Sequence, residues 1–172
     1  QRPSVTVSYR YVSSDGAQYI SYQQDTLSAP LLLLPVEVIV INKNDTIKRF
    51  ELLDQAEGRI KIKTNLVPQY VDVDFGRHFP GTVSDQKPDT YSLFLLSNSS
   101  NSVSRKAALM QLFHTTNPNL FSTVLGIAMD DTDPALRLEA LQRASDLSLM
   151  GRQKLKDTIT RLAESDPDEQ VR

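Results

Sequence analysis

The strongest constraint on the fold of this chain is a change of period at Lys87-Pro88. Up to about Val83, apolar residues recur at every second position; beyond Pro88 they recur at three and four. A period of two lines one face of a β-strand, and a period near 3.6 lines one stripe of a helix. The expected class is therefore segregated α+β, with an antiparallel β-sandwich over residues 1–86 and paired helices over residues 87–172.

In "SVTVSYRY", Val5, Val7, Tyr9 and Tyr11 share one face, opposite Thr6, Ser8 and Arg10. "AQYISYQQ" follows through Ser13-Ser14-Asp15-Gly16, and "VEVIVIN" leads into the polar turn Asn42-Lys43-Asn44-Asp45. "IKRFELL", "RIKIKT" and "YVDVDF" complete the series, with a turn at Gln55-Ala56-Glu57-Gly58. Short strands set apart by turns favour a sandwich.

Beyond Pro88, "SRKAALMQLFH" carries Ala108, Leu109, Leu112 and Phe113 at helical spacing. Asn117-Pro118 and Asp133-Pro134 each supply an N-cap with Pro at the first helical position. "GRQKLKDTITRLAES" presents Leu155, Ile159 and Leu162 as a stripe. Arg105, Ala108 and Leu109 recur 32 residues on as Arg137, Ala140 and Leu141, and Leu136-Arg137 recurs 35 residues on as Val171-Arg172. The repeat predicts stacked, HEAT-like helix pairs. Asp166-Pro167 opens a further copy, so the pattern predicts a C-terminally truncated array and a chain that is a fragment.

A net charge of -2 with no basic run argues against nucleic acid as partner. With no cysteine, the chain cannot use thiolate chemistry, disulfides or Cys-ligated zinc. Its longest apolar run, Leu31 to Ile41, is interrupted by Pro35 and Glu37 and is short of the ~20 residues of a membrane helix. No membrane span is expected. No signal peptide is visible, and a soluble protein of cytoplasm or periplasm is compatible with the composition.

Candidate chemistry is sparse. The two histidines, His78 and His114, lie far apart and outside any His-Glu-x-x-His pair. Asp72 and Asp74 fall on one side of a strand with His78 nearby, a set that could suit a cation; strand alternation alone yields the same pattern, with both aspartates solvated. Asp130, Asp131 and Asp133 lack the spacing of a calcium loop, and Asp133 reads as a helix cap. The serines from Ser97 to Arg105 read as a polar loop ending in a cap at Ser102 or Ser104. Arg105 and Arg137 could hold an anion, but recurrence at one repeat position points to inter-repeat contacts. Tyr9, Tyr11, Tyr19 and Tyr22 are spaced for cross-strand packing rather than for sugar binding. No catalytic, cofactor-binding or metal-ligating residue is assigned.

In order, "RPSVTVSY" (Pro3, Val5, Val7), "YISYQQ" (Ile20, Gln23, Gln24) and "LLPVEVIV" (Pro35, Val36) resemble the β-sandwich that follows the catalytic domain in zinc aminopeptidases of the aminopeptidase N family. Arg2 where a Gly is usual before Pro3, Leu33-Leu34 where a Trp is usual, and "YVDVDFGRHFPG" in place of a Gly-Tyr-Tyr-Arg type motif depart from that family's pattern and fit a divergent bacterial member better than a vertebrate-type one. The resemblance implies a parent enzyme that binds zinc through an upstream His-Glu-x-x-His helix and trims peptides from the N-terminus. It further implies that this fragment holds no cofactor of its own, packs against the upstream catalytic domain and limits access to the catalytic chamber. The rival expectation is an interaction scaffold without peptidase activity, since stacked helix pairs present extended concave surfaces.

Overall fold

The computed structural model describes residues 3–27, 30–74, 81–85 and 87–172. Its strands are β1 (Ser4–Val12), β2 (Ala17–Gln24), β3 (Leu34–Ile41), β4 (Thr46–Leu53), β5 (Glu57–Lys63), β6 (Tyr70–Val73) and β7 (Thr82–Asp85). The helices are α1 (Asp89–Asn98), α2 (Ser102–Leu112), α3 (Pro118–Met129), α4 (Pro134–Gln142) and α5 (Leu149–Ser165). The fold class is α+β, sheets first and helices after. Two compact units result, Gln1–Tyr91 and Ser92–Arg172.

The N-terminal unit holds two sheets, ordered β5-β2-β1-β7 and β4-β3-β6. β1 and β2 form a hairpin in the register Val5↔Gln24, Val7↔Tyr22, Tyr9↔Ile20, which places Val5, Val7 and Ile20 on the apolar face anticipated from their alternation. Gly16 closes this hairpin at φ 55°, a left-handed geometry that costs glycine nothing. In the second sheet Val38 and Val40 pair with Val73 and Val71, all buried. One pairing departs from the antiparallel rule: β7 runs parallel to β1, from Ser4↔Thr82 to Val7↔Asp85. With four residues and a single apolar side chain, β7 left no alternation to read.

Buried polar side chains tie the sheets together. Gln24 of β2 donates through Nε2 to the carbonyls of Leu32 (3.0 Å), Leu53 (3.1 Å) and Gln55 (3.1 Å), and its Oε1 accepts from Leu32 N–H. After β3, Asn42 accepts the N–H groups of Asn44 and Asp45 and donates to Thr64 Oγ1, which follows β5. Each satisfies backbone groups that water would otherwise have to reach.

In the C-terminal unit Leu109, Leu112, Val124, Leu125, Met129, Leu136 and Leu162 form one core. Asn117 accepts from Asn119 and Leu120 N–H and Asp133 from Ala135 N–H, each with Pro at the first helical position, as the sequence predicts. The cap of α2 is Asn101, accepting from Val103 N–H at 2.9 Å, not Ser102 or Ser104, which lie within the helix. α1 was not anticipated. "DTYSLFLLSN" distributes its apolar residues around the helix, so no stripe marks it, and Ser97 and Asn98 end that helix rather than begin a loop.

Replacing Gln24 with Ala would remove the two amide hydrogens that three carbonyls share. Urea unfolding should show a loss of roughly 2–3 kcal/mol for Gln24→Ala. Gln23→Ala, on the exposed side of the same strand, should change stability by no more than about 0.5 kcal/mol.

Candidate functional site

The densest polar cluster described in the N-terminal unit sits at the β6 and β7 edges. Lys87 Nζ lies 2.8 Å from Asp72 of β6 and 2.6 Å from Asp85 of β7, with all three side chains largely buried. Tyr9 OH donates to Asp85 Oδ2 at 2.8 Å, and Tyr70 OH to Asp72 Oδ2 at 2.7 Å. The Tyr91 ring meets those of Tyr9 and Tyr70 edge-on, with centroids 6.0 Å apart in each case. Burial first, and then the Asp85 charge, push the Tyr9 hydroxyl far above the ordinary tyrosine range.

Chemically this is a clamp. A buried ammonium between two carboxylates offsets charges that neither sheet edge could carry alone. The Tyr9 and Tyr70 hydroxyls are engaged as donors to those carboxylates, and Lys87 Nζ is shared between the same two groups.

The C-terminal unit repeats one loop geometry. Arg105 of α2 donates through Nη1 to Ser99 C=O, six residues back, and through Nε and Nη2 to both oxygens of Asp131. Arg137 of α4 donates to Asp131 C=O, again six back, and grips Asp166 in the same bidentate fashion at 2.7 Å. Arg172 reaches Asp166 C=O, six back once more. Asp131 and Asp166 each also accept the N–H two residues on, from Asp133 and Asp168. Planar guanidinium matches carboxylate two bonds at a time, which fixes orientation as well as charge.

Burial works to raise the Asp131 carboxyl, but the Arg105 bonds and the Asp133 N–H outweigh it and hold it below the ordinary carboxylate range. The Arg137 bond does the same for Asp166 against its desolvation.

Several sequence candidates are thereby placed. Arg105 and Arg137 each pair with an aspartate of a loop further along the chain, and Asp131 is taken up by Arg105 while Asp133 caps α4. Asp130 forms an exposed pair with Arg161. Asp72 and Asp74 are not solvated: each is 8% exposed, Asp72 because Lys87 and Tyr70 close over it. Asp74 turns at φ 61°, donating its N–H to Glu37 C=O. His78 lies outside the described residues, and His114 follows the last turn of α2. Among the described residues no group of three or more His, Asp or Glu converges as a metal site would require. Tyr22 packs over Gly58, where an added Cβ would fall 2.4 Å from its hydroxyl, whereas Tyr19 stays half-exposed between Arg59 and Lys61.

One feature of the C-terminal unit had no sequence signal. A groove of about 430 Å³ is lined by Phe113, Pro118, Phe121, Arg143 and Leu147 among others. The Arg143 guanidinium stands 5.1 Å over the Phe113 ring, and the Phe113 and Phe121 rings lie 6.3 Å apart. Phe113 reads as the end of a core stripe in sequence, and only the fold brings Arg143 across it.

No family profile and no curated protein matches this chain. Among solved structures, the crystal structure of Legionella pneumophila aminopeptidase A in complex with aspartic acid matches 98% of this chain with a TM-score of 0.59 and 13% identity. The match covers 24% of that chain, so this chain spans about a quarter of the aminopeptidase's length. The fold is thus shared with part of an aminopeptidase.

Two measurements test the electrostatics. Asp131→Ala leaves the Arg105 guanidinium buried without its carboxylate and should cost about 3 kcal/mol at neutral pH. Asp130→Ala, in an exposed pair, should stay within about 0.5 kcal/mol. Because Asp131 and Asp166 titrate lower folded than unfolded, their contribution is complete above the ordinary aspartate range near 3.9. It is lost as pH falls through the folded values. Tyr9 titrates higher when folded, so the N-terminal unit should lose stability as pH rises past the ordinary tyrosine value of about 10. Tyr9→Phe should flatten that alkaline limb in a pH series of melting curves.

Proposed function

We propose that this chain is a non-catalytic part of a zinc metallopeptidase resembling aminopeptidase N, in which the sheets act as spacer and the helices, as HEAT-like repeats, limit access to a catalytic chamber. The observation carrying the reading is the fold match, which takes in nearly the whole chain yet only a quarter of an aminopeptidase. Motif order in "RPSVTVSY", "YISYQQ" and "LLPVEVIV" supports the family. The committed state of Asp72, Asp131 and Asp166, each bound to a cation, supports a structural role for the acidic residues. Zinc and the catalytic residues would belong to an upstream catalytic domain, against which this part would pack, and peptides would be substrates of the whole enzyme.

A second reading, an interaction scaffold without peptidase activity, is favoured by the groove beside Phe113 and Arg143 and by the exposure of Leu149 and Met150, at 80% and 72%.

The test compares residues 1–172 with the product of the whole gene, on aminoacyl-anilides and by zinc analysis. Residues 1–172 should turn over nothing and retain no zinc after dialysis. The whole product should hold zinc on a His-Glu-x-x-His helix and release N-terminal residues. Turnover by residues 1–172 alone overturns the reading, and a whole gene without that motif replaces it with the scaffold.

A further inference from the structure

Among the described residues β4 is an outer strand of its sheet, paired with β3 alone. Its hydrogen-bond pattern follows from the hairpin that precedes it. Asn42 N–H donates to Asp45 C=O, so the antiparallel ladder bonds at alternate pairs counted from there. Ile41↔Thr46, Glu37↔Phe50 and Pro35↔Leu52 fall at the non-bonded positions, which fits Pro35, whose nitrogen carries no hydrogen. The N–H and C=O of Phe50 and Leu52 therefore face away from β3, toward the open edge.

The side chains on that edge are unusual for one left to water. Phe50 is 76% exposed and Leu52 54%, beside exposed Pro35 on the same sheet face. An exposed strand edge bearing large apolar residues is a template for another strand.

Charge order narrows what that strand can be. Phe50 is flanked by Arg49 and Glu51, so the sequence is self-complementary when read in the opposite direction. A two-fold axis normal to the sheet keeps each residue on its own face, which admits only registers pairing even with even positions. Centring on Arg49 sets Arg49 against Arg49, and centring on Glu51 sets carboxylate against carboxylate. Centring on Phe50 brings Arg49 opposite Glu51 twice, stacks the two Phe50 rings at the axis and sets Leu52 against the Lys48 stem. That register also aligns the edge-facing N–H and C=O of the two Phe50 residues.

We propose that a second copy of this chain pairs antiparallel with β4, centred on Phe50, to form a reversible dimer with one sheet continuous across it. A single strand pair buries less than a standard protein interface, so the dimer is weak and concentration-dependent.

The inference does not rest on the peptidase reading. Sedimentation of residues 1–172 over a concentration series should show a monomer–dimer equilibrium. Arg49→Glu alone, or Glu51→Arg alone, makes both cross-strand pairs repulsive and should weaken dimerisation at least about tenfold. The double exchange Arg49→Glu/Glu51→Arg should restore it to within about threefold of the parent. Because the chain has no cysteine, Phe50→Cys gives a unique thiol at the axis. It should form a disulfide-linked dimer under mild oxidation much faster than Lys43→Cys in the adjacent turn. A monomer at every concentration overturns the proposal and leaves the edge for a strand of a different protein. A double exchange no better than either single one, or equal cross-linking at positions 50 and 43, also overturns it.

Discussion

A guanidinium taken out of water has to find a carboxylate, and in the helical unit that requirement decides which loop lies beside which helix. Arg105 and Arg137 are largely buried, and each reaches back to a carbonyl of its own loop and across to the aspartate of the following one. The apolar stripes of α2 to α5 would pack in many ways at similar cost, since hydrophobic burial is non-directional. Bidentate pairing is directional, and it selects one register from those alternatives. The aspartates that answer the arginines also hold the turn leading into the next cap, so pairing, turn and helix start are one device.

The sheets meet a related demand with uncharged groups at their ends and charged ones at one edge. Gln24 meets three carbonyls and one N–H through a single amide, and Asn42 closes its own turn while bonding Thr64. Lys87 then bridges β6 and β7 through Asp72 and Asp85. One buried oxygen, Gln18 Oε1, has no partner among the described residues, although the amide nitrogen of the same side chain donates to Tyr19 C=O. Such a group costs stability where its neighbours do not.

Much of this was legible in the residues. Alternation located the strands from Val5 to Val73, and Asn117-Pro118 and Asp133-Pro134 marked helix starts that the structure keeps. Recurrence of Arg105 as Arg137 disclosed an architectural role before any partner was visible. The misses share a cause, because each depends on contacts distant in sequence. β7 forms because β1 offers it an edge, and α1 has apolar residues on every side. Asp72 is buried because Lys87, 15 residues away, neutralises it. The groove sets Arg143, at the end of α4, over Phe113, at the end of α2. A period describes one element's relation to its surroundings, not which surroundings those are.

The Arg–Asp pairs recur with different lengths of chain between them. Arg105 is 26 residues from its aspartate and Arg137 is 29, and the intervening helices differ too, α3 having 12 residues and α5 having 17. What is held constant is the rung, not the span. Residues can therefore be gained or lost at the far ends of these helices without shifting the Arg–Asp pairing. Length variation in such a protein would collect on the side away from the rungs, where it can reshape a surface while the paired loops keep their geometry.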